Sequence, residues 1–210
     1  MTVTNPAPAG SSSLVSRVQA ILLKPDAEWD RIEAEPATVQ GLFTGYACIL
    51  ALIPAVAQLI GSFIPVCVFG VCVHRNPIFA VIGAAVAYVI GLVGVYVTAL
   101  IADELAPSFG GTKNRIAALK LIIYSWTAAW LAGIFAILPA LAVLSLLGLY
   151  SFYLLYRGAP KLMKVPQDKE IGYIAVTIIV AFVVFAVIGV ISTMVVGMGA
   201  MGVGAATTIG

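Results

Sequence analysis

Charge is what this sequence has least of. Nine acids and eleven bases make up 10% of its 210 residues, against about 25% in soluble domains. Hydrophobic residues are 62%. Such a chain has too little polar surface to cover a water-facing globule, so it reads as an integral membrane protein. Histidine is nearly missing too: His74 stands alone, which excludes a histidine metal cluster and leaves no histidine–acid partner for a serine or cysteine nucleophile. Neither a nucleophile elbow nor a phosphate-binding glycine loop is found. The expectation is no enzyme, no catalytic residue, no cofactor and no metal. A net charge of +2, without interleaved basic and aromatic residues, excludes nucleic acid.

A basic start followed by an apolar core is also lacking. Residues 1–13, MTVTNPAPAGSSS, are polar and rich in Pro, Gly and Ser, which predicts a disordered tail and not a cleavable signal peptide.

Long apolar runs, by contrast, are plentiful. Five are of a length to cross a bilayer, which takes about 20 residues: 39–60, 78–101, 116–138, 140–156 and 171–196. Pro139 separates the third and fourth with almost no loop, which predicts a tight helical hairpin. The fold class expected is all-α, an integral membrane bundle of five transmembrane helices over 38–197. An amphipathic, acidic segment at 14–37 precedes it, and a Gly-rich tail at 198–210 follows.

Lys and Arg in short loops resist translocation and orient the chain. With the N-terminus in the cytoplasm, five crossings leave ten of the eleven bases on that side and Arg75 alone on the other. All nine acids fall on the cytoplasmic side as well, and the C-terminus falls outside.

The first segment carries the most information. Leu14, Val15, Val18, Ile21 and Leu22 recur at helical spacing after a Ser12 or Ser13 cap, which predicts a short helix in the headgroup layer. Pro25 then opens a second helix, with Asp26 and Glu28 in its first turn and Trp29 one turn on. Five of the ten residues from Asp26 to Glu35 are acids. Anionic lipid repels such a strip and holds it toward solvent. Two readings follow: a solvated lead-in, or a docking surface for a cytosolic or membrane protein. The docking residues would be Asp26, Glu28, Trp29, Asp30 and Glu33, together with Arg157, Lys161 and Lys164 of a basic loop, Arg157 to Lys169. The two oppositely charged segments would either touch each other or grip a partner of mixed charge.

No ionisable residue falls midspan, which argues against a proton-coupled transporter; Lys120, one turn inside the third span, is expected to snorkel to the interface. Asp103 and Glu104 are placed to pair with Lys113 or Arg115. Gln58, Thr98, Ser125 and Thr127 would line a narrow path if the protein were instead a small transporter or channel component for a neutral solute. Gly83, Ala87 and Gly91, at four-residue steps, let helices approach closely, within one chain or between copies of a homo-oligomer. Cys67 and Cys72 lie in the outer loop, residues 61–77, an oxidising place where a fold-back at Phe69-Gly70 would bring the sulfurs together. The other reading makes them small apolar fillers of a partly buried or re-entrant loop, as Cys48 is of the first span.

Three motifs carry a resemblance: LLKPDAEW with Pro25 and Trp29, FGGTKNRIAALKLIIYSW with Gly110, Gly111, Tyr124 and Ser125, and GLYSFYLLYRGAPKLMKVPQDK with Arg157-Gly158. In this order the chain resembles, over 14–195, the Yip family and its bacterial relatives, five-span proteins named for interaction with Ypt/Rab GTPases. The resemblance implies a non-catalytic adaptor or organiser in a bacterial inner membrane, embedded in lipid. Two departures are visible. The chain reads WTAAWLAG where the family places a proline after Tyr124-Ser125, and the acidic-Gly-Pro signature of eukaryotic members is missing, so Rab binding is not carried across.

Overall fold

A computed structural model describes residues 13–64, 66–68, 71–73 and 77–207, and side chains up to 192 except those of 65–76, 139, 140 and 142. Helix α1 (Leu14–Leu23) begins where the Ser13 hydroxyl accepts from Ser16 N–H. It hands over at Lys24 to α2 (Pro25–Ala34), whose first position takes a proline because that N–H has no intrahelical partner. A polar linker leads to α3 (Val39–Ser62), capped by the Thr38 hydroxyl on Gly41 N–H at 3.0 Å. Five residues of α3, Phe43–Ala47, are wound as a π-helix.

Helix α4 (Pro77–Leu105) follows, closed by a 3-10 turn over Ala106–Phe109 and by Gly110 at φ +76°, a left-handed position that glycine adopts without a Cβ clash. The Asn114 side chain accepts from Ile116 and Ala117 N–H at 3.1 Å each and starts α5 (Arg115–Ile137). A 3-10 helix, Pro139–Leu149, then runs into α6 (Tyr150–Met163), and α7 (Gln167–Thr207) is last.

The helices pack into one bundle around a shared core. At one end, Gly61 near the close of α3 lies so near α5 that a Cβ there would meet the Ala136 carbonyl oxygen at 2.7 Å. At the other end, Thr112 N–H donates to the Met163 carbonyl at 2.8 Å, which joins the loop after α4 to the end of α6. Helix α5 forms the centre, with every residue from Ala117 to Ser125 buried. Pro54 of α3 seats in the space left by Gly133, where a Cβ would come within 2.5 Å of it.

Among the described residues four helices are long and apolar enough to cross a membrane: Val39–Ser62, Pro77–Phe109, Arg115–Ile137 and Gln167–Ser192. The segment expected as the span 140–156 is not among them. Pro139–Leu149 is 3-10 there, and the α-helix after it continues through Gly158 and Pro160 to Met163. The expected basic loop from Arg157 is therefore mostly helix, because burial of Gly158, Ala159, Leu162 and Met163 outweighs the local preference of Gly and Pro to break it. Helix α7 likewise runs on past 198, where a tail was expected.

Helix α4 packs along α7, and the close approach is at Gly94, where a Cβ would meet Ile188 Cδ1 at 2.5 Å. Of the expected packing row, Gly83 and Ala87 are half-buried and Gly91 has open space where a Cβ would stand. Between α3 and α4 two short strands, Val66–Val68 and Val71–Val73, pair antiparallel with Cys67 opposite Cys72. The side chains of both cysteines, and with them the choice between a bridge and apolar fillers, lie outside the described residues.

Candidate functional site

The acids of α2 and the bases of α6 share one spacing. Asp26, Asp30 and Glu33 stand at i, i+4 and i+7, and so do Arg157, Lys161 and Lys164, so each set forms a row along one helix face. The two rows meet in register. The Arg157 guanidinium grips both Asp26 carboxylate oxygens, with Nε donating at 2.6 Å. Lys161 Nζ lies 2.6 Å from Asp30 Oδ1 and donates to the Asp26 carbonyl at 2.7 Å. Lys164 pairs with Glu33. The Arg157 hydrogen bond holds the Asp26 carboxyl below the usual carboxylate range, and the same bond raises the Arg157 guanidinium.

These pairs are open to water, and exposed ion pairs are worth about 0–1 kcal/mol each. They set register; the apolar floor beneath them supplies the hold. Trp29 is fully buried over Gly158, where a Cβ would come within 2.7 Å of its ring. It meets Tyr124 edge-on at 6.4 Å, and Tyr124 in turn meets Tyr46 at 4.6 Å. Ile21 and Ile32 close the sides.

A second charge cluster ties α1 to α2. Arg17, only 8% exposed, donates to Glu28 at 2.8 Å and to Glu35 at 2.6 Å, and its guanidinium lies 5.8 Å over the Tyr124 ring. Glu28 is 3% exposed, and Arg31 reaches it at 3.5 Å. Burial alone would lower the Arg17 pKa; the Glu35 hydrogen bond and the negative field of its neighbours outweigh that and raise it. At the end of α2, Lys120 donates to the carbonyls of Ile32, at 2.6 Å, and of Glu35. A cation there satisfies carbonyls that the helix leaves open. Lys120 does not snorkel as expected: at 6% exposure it is a buried cap.

All eight expected docking residues, Asp26, Glu28, Trp29, Asp30, Glu33, Arg157, Lys161 and Lys164, thus gather in one place, engaged with each other or with the core. Sequence reasoning missed Lys120, Tyr124 and Gly158 as parts of it. The shared i, i+4, i+7 spacing was the readable signal for the seam; Tyr124 and Gly158 stood out only in the motifs that carry the family resemblance, and nothing local marks Lys120.

Elsewhere, Glu104 pairs with Lys113 as expected, but Asp103 is buried. Its Oδ1 has no partner among the described residues, nor have Trp29 Nε1 and Ser125 Oγ. The four polar span residues do not line one path. Thr98 and Ser125 share a cavity of about 20 Å³ with Ser151 and Thr177, room for a single water. Thr127 Oγ1 lies 2.8 Å from the Tyr46 hydroxyl and donates to the Tyr124 carbonyl, while Gln58 is exposed on the outside of the bundle.

A family model described as the Yip1 domain matches residues 20–203. Among curated proteins, the "Inner membrane protein YohC" of Escherichia coli strain K12 is 24% identical over 191 residues, which covers 88% of this chain and 98% of that protein. The protein of the same name in E. coli O6:H1 strain CFT073 is similar to the same extent. No solved structure matches significantly.

Proposed function

The chain belongs to the Yip1 domain family, and from that premise we propose that it is a non-catalytic organiser of a bacterial inner membrane. It offers the α1–α2–α6 clasp to a cytosolic or membrane protein. The observation that carries this is the clasp itself: an acidic and a basic segment, distant in sequence, share one seam whose outer edge is open to solvent.

In this reading the chain crosses lipid five times, with its N-terminus in the cytoplasm and its C-terminus outside. The apolar part of the fourth segment, from Pro139 to Tyr156, has the reach for it. Eleven 3-10 residues at about 2.0 Å each and the seven α-helical ones from Tyr150 to Tyr156 at about 1.5 Å each span roughly 32 Å, enough for the roughly 30 Å hydrocarbon core. The end that holds Arg157, Lys161, Lys164, Lys113 and Lys120 is the one the positive-inside rule keeps in the cytoplasm. Two relatives bear the name of inner membrane proteins, which supports the location.

The partner surface is the exposed side of the seam, where Asp30, Glu33, Lys161 and Lys164 alternate in sign. The test is in-cell crosslinking of the full chain followed by recovery of bound proteins. Asp30→Lys with Glu33→Lys is expected to reduce recovery several-fold. Adding Lys161→Glu and Lys164→Glu rebuilds the clasp with its charges inverted, and recovery should stay low because the partner sees the wrong pattern. Wild-type recovery from both variants would overturn the docking reading.

A further inference from the structure

Beside the clasp, between the end of α2 and the starts of α3 and α5, lies a cavity of about 370 Å³. Its wall includes Glu35, Ala37, Thr38, Gly41, Lys120 and Tyr124. Two features set it apart from a packing fault. First, it contains one group of each sign, and each has hydrogen-bonding capacity left over. An ammonium has three donors, and Lys120 spends two on the carbonyls of Ile32 and Glu35. Glu35 uses Oε2 for Arg17 and keeps Oε1. Lys120 is held in place there with 6% exposure, although burying a cation without a full set of partners is costly.

Second, the cavity lies at the ends of two apolar helices, where a headgroup stands if both cross the bilayer. Thr38 and Gly41 form the first turn of α3, and Lys120 lies in the second turn of α5, both of them helices long enough to cross a membrane. The Thr38 hydroxyl takes Gly41 N–H and its carbonyl takes Leu42 N–H. The N–H groups of Val39 and Gln40 have no partner among the described residues, so the helix end that supplies Thr38 and Gly41 to the wall carries partial positive charge.

We propose that this cavity binds the headgroup of a phosphatidylethanolamine-type lipid of the cytosolic leaflet. The phosphate lies toward Lys120 and the first turn of α3; the primary ammonium lies toward the Glu35 carboxylate. The chemistry selects among lipids. A glycerol headgroup brings no cation to Glu35, and a trimethylated ammonium brings a cation without an N–H to donate. An acidic headgroup with a second negative charge would stand against Glu35. The proposal rests on the membrane crossing and not on the organiser reading, so failure of partner recovery leaves it standing.

The full chain, in nanodiscs holding equal amounts of phosphatidylethanolamine, phosphatidylcholine and phosphatidylglycerol with identical acyl chains, is released and weighed by native mass spectrometry. One phosphatidylethanolamine is expected to stay bound, about tenfold in excess over phosphatidylcholine, as a charge-assisted hydrogen bond provides. Ala37→Phe, which puts a ring into the cavity wall and changes no charge, should abolish the preference. Glu35→Gln should bring phosphatidylethanolamine down to the phosphatidylcholine level. Equal retention of the three lipids, or a preference that survives Ala37→Phe, overturns the proposal. Saturation by glycerophosphoethanolamine as tight as by the lipid would overturn the lipid assignment in favour of a free phosphodiester.

Discussion

Arg17→Leu is expected to undo the docking of the first two helices. Glu28, 3% exposed, would keep only Arg31, 3.5 Å away with a side chain 55% exposed. Removing one member of a buried ion pair costs about 3–5 kcal/mol, because the remaining charge is left unmatched. Arg31 offsets part of this, so the lower end of that range applies. Glu35 also loses its guanidinium, and Tyr124 its cation. A loss of about 3 kcal/mol raises the undocked population about a hundredfold. Hydrogen exchange of residues 14–35 should quicken to that degree while α5 stays protected. Arg17→Leu combined with Glu28→Leu should recover most of the protection, since no uncompensated charge is then buried. Protection unchanged in the single variant, or equally lost in the double, would show that this pair does not hold the segment.

Gly158→Leu should have an effect of similar size by a steric route. A Cβ at 158 meets Trp29 Cε2 at 2.7 Å and Leu121 Cδ1 at 2.8 Å, closer than Cβ contacts occur. Leu121 belongs to the buried core of α5 and cannot retreat, so Trp29 must leave. Losing the burial of a tryptophan costs about 3–5 kcal/mol. In a chain whose Trp126 and Trp130 are replaced by Phe, the Trp29 emission should shift to the red, toward that of a solvated indole. Gly158→Ala, with less to accommodate, should cost about 1–3 kcal/mol by overpacking. Emission unmoved by Gly158→Leu would mean that Trp29 is not seated on this glycine.

Much of the bundle was legible because lipid imposes a length rule on apolar runs. Four of the five expected runs coincide with helices long enough to cross. The fourth run carried the error, and for a physical reason. Gly158 and Pro160 read locally as breakers, but the helix pressed against α2 continues through both of them. Local signals also placed Pro25 at the start of α2 and the acids in its first turn. Lys120 misled in the opposite direction. A lysine one turn inside an apolar run ordinarily reaches back to water, and only the arrival of α2 from 85 residues upstream supplies carbonyls that keep it in. The matched spacing of acids and bases was present in the sequence. Whether they would meet one another or a partner depends on helix directions that a single sequence does not fix.

The proposed topology has five crossings, with the clasp in the cytoplasm and the far end of α7 outside. The direct measurement joins a reporter active only outside the cytoplasm after Gly210 in one fusion and after Lys164 in another, each expressed in bacterial cells. Activity from the Gly210 fusion and silence from the Lys164 fusion are predicted. Silence at Gly210 with activity at Lys164 would contradict the account, because the charged clasp would then face away from every cytosolic partner.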